Sequence, residues 1–279
     1  AGDLALELFV VDNASSDGSA DMVRERFSQV RLIENRENVG FAKANNQAIR
    51  QSRGRYVLLL NSDTVVRPRA LRTLIDALDS LAKAGASGPR LLNSDGTLQP
   101  MCCYPMTTVW REFWHLFHLD AFVRLSTYDM ASWDTASVHP VDVTSGACLM
   151  LRREALDEIG LLDERYFMFS EEVDLCYRLA DQGWKVYWVP MAEVIHLRGG
   201  STRQVSDEMF IQLYRSKHFF LKKTSGRMSG QIFKAVLFMA AVGRILVSPV
   251  AFGFPRDRRQ HWLRKTRQYW RLITVLPSL

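Results

Sequence analysis

Residues 56 to 68 read YVLLLNSDTVVRP. Five apolar residues, Tyr56 to Leu60, predict a buried strand. The chain then sets Asn61, Ser62 and Asp63 directly behind them, before the apolar pattern resumes at Val65. An unpaired carboxylate is costly inside a core, so Asp63 belongs to a surface turn or to a ligand-binding edge. Asn, Ser and Asp all favour turns, and this stretch alone leaves both readings open.

Strand and helix signals alternate around it. LELFVV, Leu6 to Val11, predicts a strand ending at Asp12, and Asp17 to Phe27 predicts a helix with Asp17 or Ser19 as N-cap. Val30 to Glu34 reads as a short strand. NVGFAKANNQAIRQSRG predicts a helix entered near Gly40 and stopped at Gly54, and another helix follows from Arg67 to Ala84. Strands spaced by helices with short connections imply parallel crossovers, hence an α/β fold with a doubly wound, mostly parallel sheet. Ligands of such sheets bind outside the carboxyl ends of the strands, where Asp12 and the 61–63 triplet both fall.

From residue 85 the pattern changes. Asp95-Gly96 in GPRLLNSDGTLQP is a hairpin signal, and a loop-rich aromatic region with VWREFWHLFHLDAFVRL follows. VDVTSGACLMLRREALDEIG predicts a strand entering a helix that ends at Gly160. LLDERYFMFSEEVDLCYRLADQGWKVYWVP predicts a loop, a helix from Ser170 to Gln182 and a strand from Lys185 to Val189, and EVIHLRGGST closes the globular part.

With 279 residues and 47% hydrophobic content the chain can bury a large core. Cys102, Cys103, Cys148 and Cys176 form neither a CxxC pair nor a disulfide framework, which favours a reducing compartment and disfavours zinc. The net charge of +6 is local. RDRRQHWLRKTRQYWR, Arg256 to Arg271, holds seven Lys/Arg against one acid, leaving 29 basic and 29 acidic residues elsewhere. The N-terminus lacks the order of a signal peptide, and a first residue other than Met suggests a fragment.

Three constellations could carry chemistry. Glu171, Glu172 and Asp174 open a helix behind Ser170; they read either as first-turn acids that complement the helix dipole or, beside the apolar YFMFS, as a cleft-wall base kept ionised by the helix N-terminus. His196 ends the run AEVI and reads as a structural histidine or, near Asp63, as half of a Mg²⁺ or Mn²⁺ site completed by a diphosphate and water. Asn38-Val39-Gly40 with Asn45 and Asn46 could meet a nucleotide or serve as ordinary helix-entry residues. No GxxxxGK[ST], GxGxxG or GxSxG is present, against P-loop, dinucleotide and acyl-transfer chemistry.

VVDNASSDGS, ENVGFAKANNQAI, YVLLLNSDT, VTSGACLMLRREALDEIGLLDERYFMFSEEVDLCYRL and HLRGGST, in this order, resemble the inverting nucleotide-sugar glycosyltransferases of family two, particularly the rhamnosyltransferase-like branch. The resemblance spans residues 4–202 and implies the GT-A fold, a nucleotide-diphosphate sugar donor and a divalent metal (Mg²⁺ or Mn²⁺). By position, Asp12 resembles the acidic residue that contacts the nucleotide, and the segment from Asn38 through Gly40 to Asn45 resembles the donor-binding segment. Asn61-Ser62-Asp63 stands where the family has its DxD motif, making Asp63 the metal-binding carboxylate, while Asn61 and Ser62 lie against the donor. Asn61 departs from the first Asp of that motif and brings no charge. Glu171-Glu172 matches the family's Glu-Asp pair, which assigns Glu172 as base, and His196 resembles the third metal ligand. Gly146 would allow close approach of donor or acceptor, or pack simply. The family begins with a further strand and helix that this chain does not include, so the resemblance implies an exposed sheet edge and incomplete donor binding.

Ile232 to Phe254 approaches the length of a bilayer span but is interrupted by Lys234, Arg244 and Pro249, which leaves a spanning helix, an in-plane helix and an ordinary bundle helix all open. The basic segment after it places Trp262, Tyr269 and Ile273 near one helical face, as a membrane-surface helix would. Nucleic-acid binding fits the charge but has no fold motif behind it. The expected organisation is a GT-A domain over residues 1–205 and a helical, basic, membrane-associating region over residues 206–279. The expected function is transfer of a sugar, rhamnose by resemblance, to a lipid-linked or cell-envelope glycan at the cytoplasmic face of the membrane. The alternative is a catalytically degenerate transferase-like module that binds a membrane or partner; a sugar nucleotidyltransferase of the same fold is disfavoured by the lack of a Gly-rich, basic N-terminus.

Overall fold

Small residues, rather than bulky apolar ones, mark the centre of the sheet. The structure, a computed structural model, describes residues 4–197, 206–249 and 255–279. In chain order the elements are β1 (Phe9–Asp12), α1 (Ser19–Arg26), β2 (Arg31–Glu34), α2 (Phe41–Gln51), β3 (Tyr56–Leu60), β4 (Thr64–Val66), α3 (Ala70–Ser80), β5 (Ala84–Leu92), β6 (Cys103–Tyr104) and α4 (Val109–Leu116). There follow β7 (His139–Val141), β8 (Val143–Thr144), β9 (Cys148–Arg152), α5 (Arg153–Ile159), α6 (Glu171–Asp181), β10 (Lys185–His196), α7 (Ser206–Leu246) and α8 (Arg256–Val275). They group into two units, one of residues 1–106 with 127–200 and one of residues 107–126 with 201–279.

In the first unit, six strands form a sheet in the order β3-β9-β5-β10-β4, with β7 also on β10. β5 lies between β9 and β10, and its sequence AGASGPRLL lacks bulk because its neighbours are close. A Cβ on Gly88 would stand 2.7 Å from Thr144 Cβ, and one on Gly85 2.9 Å from Trp184 Cβ. Ala, Gly and Ser carry no hydrophobic period, so apolar patterning does not find this strand.

The α/β architecture is the expected one, but the sheet is mixed instead of mostly parallel. β5–β10 is parallel, whereas β3–β9, β5–β9, β10–β4 and β10–β7 are antiparallel. A helical crossover does give a parallel pair at β1–α1–β2, with Phe9 opposite Arg31 and Asp12 opposite Glu34. β1 and β2 form a sheet of their own, and among the described residues β3 pairs with β9 alone. β3 is therefore an edge strand, and its apolar run is not uniformly buried: Val57 and Leu59 are buried while Leu60 is 43% exposed.

Local chemistry shifts some boundaries. α1 starts at Ser19, not Asp17, because left-handed Gly18 precedes it and the Asp17 carboxylate accepts the Ser19 N–H. Ser170 precedes α6 at φ 66° and makes no side-chain cap, and Phe169 before it is also left-handed at φ 69°. Two such non-glycine residues in succession hold the backbone in a sparsely populated region immediately ahead of Glu171 and Glu172. Gly40, before α2, has φ +84°, and a Cβ there would sit 2.4 Å from Phe167 O. That same carbonyl accepts the Phe41 N–H at 2.8 Å, fastening the start of α2 to the loop ahead of α6.

In the second unit α4 and α8 pack on α7, which kinks at Gly226 (φ 86°). Lys217 Nζ lies 2.7 and 2.9 Å from the two carboxylate oxygens of Glu112. Phe210 meets the Tyr269 ring edge-on at 5.2 Å, and the Arg244 guanidinium lies 4.8 Å from the centroid of the same ring. Tyr269 is thus buried between helices, while Trp262 and Ile273 of the same expected face are half-buried and Trp270 of α8 is 62% exposed. Asp207–Leu246 is long and apolar enough to cross a membrane by length and composition, though Phe233, Leu237 and Ala241 are buried within the unit. Residues 250–254 of the expected span, and residues 198–202 of the HLRGGST motif, lie outside the described residues.

Gly18 and Gly40 share a positive φ, but a Cβ on Gly18 meets nothing within 4 Å. Gly18→Ala is expected to cost about 1 kcal/mol and Gly40→Ala about 3 kcal/mol in urea unfolding, the difference measuring the contact with Phe167.

Candidate active site

The turn after β3 is both a turn and a presented carboxylate. Thr64 Oγ1 donates to Asn61 O at 2.6 Å, and the Asn61 N–H reaches Ala147 O at 2.9 Å, so the turn is tied to the residue after Gly146. β4 then pairs antiparallel with the end of β10, Thr64 opposite His196, and the Leu197 N–H donates to Asp63 O at 2.8 Å. Asp63 Oδ1 and His196 Nε2 stand 3.3 Å apart, both half-buried. Behind the ring lies Gln99, buried, with Oε1 3.1 Å from His196 Nδ1 and Nε2 donating to His196 O at 2.6 Å. Gln99 was not among the sequence candidates; its one signal is the Asp95-Gly96 turn, which folds residues 97–99 back along β5, where the Gln99 N–H donates to Leu91 O.

A carboxylate oxygen and an imidazole nitrogen at 3.3 Å have about the spacing of adjacent ligands on an octahedral divalent ion, about 3 Å for bonds of about 2.1 Å. The pair therefore fits Mg²⁺ or Mn²⁺. Among the described residues no group of three or more His, Cys, Asp or Glu could hold a metal, so further ligands would have to be other oxygen donors.

The acidic cluster of α6 divides into three roles. Asp174, fully buried, accepts from Arg178 Nε at 2.8 Å and from the Tyr166 hydroxyl at 3.3 Å and is structural. Glu171 is buried with Oε2 lacking a hydrogen-bond partner among the described residues. Burial first, and the charge of Glu172 second, push its carboxyl well above the usual range. Glu172 is half-buried, and its Oε1 accepts the Tyr104 hydroxyl at 2.8 Å. Burial of the phenol, followed by the charge of Glu172, raises the Tyr104 pKa well above its ordinary value. Tyr104 had no sequence signal, because β6 is two residues long; it is placed by pairing with β8, Tyr104 opposite Val143.

Gly146, just after β8, lies near Glu172 and Phe41: a Cβ there would meet Glu172 Cβ at 3.7 Å and Phe41 Cε1 at 3.9 Å, both ordinary contacts. Gly40 precedes Phe41, and its carbonyl accepts Asn13 Nδ2 at 3.3 Å, which brings the end of β1 and Asp12 to the same rim. The asparagines are partly committed to the fold. Asn38 Oδ1 accepts the Gly40 N–H at 3.0 Å, Asn45 Nδ2 donates to Phe41 O at 2.9 Å, and buried Asn46 ties to Leu162 O at 2.8 Å and so is not a nucleotide contact. Asp12 Oδ2 accepts the Ser15 N–H at 3.1 Å, while Ser62 is exposed on the turn. Hydrogen bonds join Asn13 to Gly40 and Tyr104 to Glu172, Gly146 lies near Phe41 and Glu172, and Ala147 leads through Asn61 to Asp63, His196 and Gln99.

The chain is 32% identical over 235 residues to an N-acetylglucosaminyl-diphospho-decaprenol L-rhamnosyltransferase of Mycobacterium tuberculosis, covering 77% of this chain and 74% of that one. It is 27% identical over 194 residues to the low-salt glycan biosynthesis hexosyltransferase Agl10 of Haloferax volcanii, covering 68% and 58%. Among solved structures, its fold is similar to that of the mannosyltransferase PcManGT of Pyrobaculum calidifontis in complex with GDP-Man and Mn²⁺, with a TM-score of 0.52 and 17% identity over 97% of this chain and 77% of that one. GalNAc-T7 with UDP, GalNAc and Mn²⁺ gives a TM-score of 0.53 at 14% identity, over 70% and 38%. Residues 2–216 match the model of the glycosyltransferase like family 2, and the chain belongs to that family.

Proposed function

We propose that the chain is a metal-dependent, inverting glycosyltransferase that moves a sugar, with L-rhamnose the first candidate, from a nucleotide-diphosphate donor to a lipid-linked or cell-envelope glycan. The main support is that Glu172, which accepts the Tyr104 hydroxyl, stands at the rim that also carries Asp63 and His196. The 32% identity to the mycobacterial rhamnosyltransferase supports the sugar and the lipid-linked acceptor.

In this reading Glu172 takes the proton of an acceptor hydroxyl as its oxygen forms a bond to the anomeric carbon, opposite the breaking bond to the diphosphate. The N-terminus of α6 and the Tyr104 hydroxyl both favour the ionised base. Burial of Glu171 disfavours a second negative charge beside Glu172. Asp63 and His196 would hold the metal, which when bound supplies positive charge beside the departing diphosphate. Asp12, Asn38, Gly40, Asn45, Asn61, Ser62 and Gly146 would bind the donor, the glycines by letting it approach the backbone. A degenerate, non-catalytic module is the second reading, favoured by the separate β1–β2 sheet.

The second unit would meet the cytoplasmic face of an anionic membrane. Its residues include 17 Lys/Arg against 5 Asp/Glu, and Trp270, Phe238 and Met239 are exposed on it. Binding to vesicles with anionic headgroups should therefore fall steeply with added salt, and vesicles of neutral lipid should bind far less in co-sedimentation.

Turnover can be followed with L-rhamnose linked to dTDP, UDP or GDP and a polyprenyl-diphosphate N-acetylglucosamine acceptor. Glu172→Gln is expected to keep metal-dependent nucleotide binding and lose about a thousandfold in kcat, whereas Asp63→Ala loses the binding itself. Equal turnover by Glu172→Gln and the unaltered chain would remove Glu172 as base. Tyr104→Phe removes a bond that favours the charged carboxylate, so Glu172 should hold its proton more tightly. The acid limb of kcat/KM should then move to higher pH by about one unit, and an unmoved limb would leave Tyr104 with no part in holding the base.

A further inference from the structure

The orientation of one buried carboxamide decides which nitrogen of His196 can face a cation. Gln99 Nε2 approaches two carbonyl oxygens, Leu92 O at 3.3 Å and His196 O at 2.6 Å, contacts that only the amide nitrogen can satisfy. Its Oε1 is therefore the atom 3.1 Å from His196 Nδ1, and as an acceptor it requires a proton on that nitrogen. In the neutral ring the proton on Nδ1 leaves a lone pair on Nε2, which faces Asp63 Oδ1 at 3.3 Å. These are the nitrogen and the oxygen that a divalent ion beside them would meet.

We infer that Gln99 is the positioning residue of the cation site: it clamps the ring and the main chain of His196 so that Nε2 and Asp63 Oδ1 present adjacent lone pairs to a divalent ion. The inference rests on the reading of Asp63 and His196 as metal ligands and adds a residue that stands behind them. Glutamine suits the place because it accepts from Nδ1 and donates to two strands at once. Leucine, of similar size, does neither, and glutamate keeps the acceptor but loses both donations. A ligand histidine whose far nitrogen loses its partner typically weakens metal binding by about 10- to 100-fold.

The test uses the full chain and Mn²⁺, alone and with dTDP, UDP or GDP, by titration calorimetry, together with the histidine tautomer read from long-range ¹H–¹⁵N correlations in the metal-free protein. The expected result is the Nδ1–H tautomer for His196, about 10- to 100-fold weaker Mn²⁺ binding by Gln99→Leu, and more of the affinity retained by Gln99→Glu. Thermal unfolding of the variants separates a folded chain with weak metal binding from loss of fold, and Gln99→Glu carries the comparison if Gln99→Leu does not fold. If the unaltered chain binds Mn²⁺ and both folded variants bind it equally well, or if His196 carries its proton on Nε2, the role of Gln99 is overturned while the metal site stands. If the unaltered chain binds no Mn²⁺ under any of these conditions, the metal reading fails and this inference with it.

Discussion

The site depends on the antiparallel pairing of β4 with the end of β10. Three register pairs, Val66–Val194, Val65–Ile195 and Thr64–His196, join segments about 130 residues apart in the chain and set Asp63 beside the imidazole. Without that pairing the carboxylate behind β3 would be one more turn residue, and His196 one more histidine at a strand end. β10 can make the pairing because it also pairs with β5 in parallel, with an irregularity between Val189 and Glu193 that lets one strand serve both neighbours.

The acidic cluster of α6 is placed by different means. α6 begins after two left-handed non-glycine residues, and the strain of that entry is offset by the anchor between Phe167 and the start of α2. Burial then separates the acids that follow. Glu171 turns into the protein, where burial pushes its carboxyl up, Asp174 is taken by Arg178, and Glu172 accepts the Tyr104 hydroxyl. Identical chemistry at positions 171 and 172 thus meets two different environments.

Much of this was legible in the sequence, and what was not has physical reasons. An apolar run followed by Asn61-Ser62-Asp63, and paired acids at a helix start, are local signals, and the family resemblance ordered them. The central strand β5 escaped because close packing on Thr144 and Trp184 demands residues that carry no hydrophobic period. Antiparallel entry of β9 is a property of long connections, on which periodicity is silent. Gln99 and Tyr104 act across the fold, one from a hairpin return and the other from a two-residue strand, so only tertiary structure gives them meaning. The face of Trp262, Tyr269 and Ile273 had helical spacing, but spacing does not say whether a face meets a membrane or another helix; Tyr269 meets α7.

A donor site built on Asp63 and His196 is the claim on which the rest stands. The most direct measurement is calorimetric titration of the folded chain with dTDP, UDP and GDP, each with and without Mn²⁺. The account predicts that one of the three binds, and binds only when the metal is present. Binding of none, or equal binding with and without Mn²⁺, would contradict it.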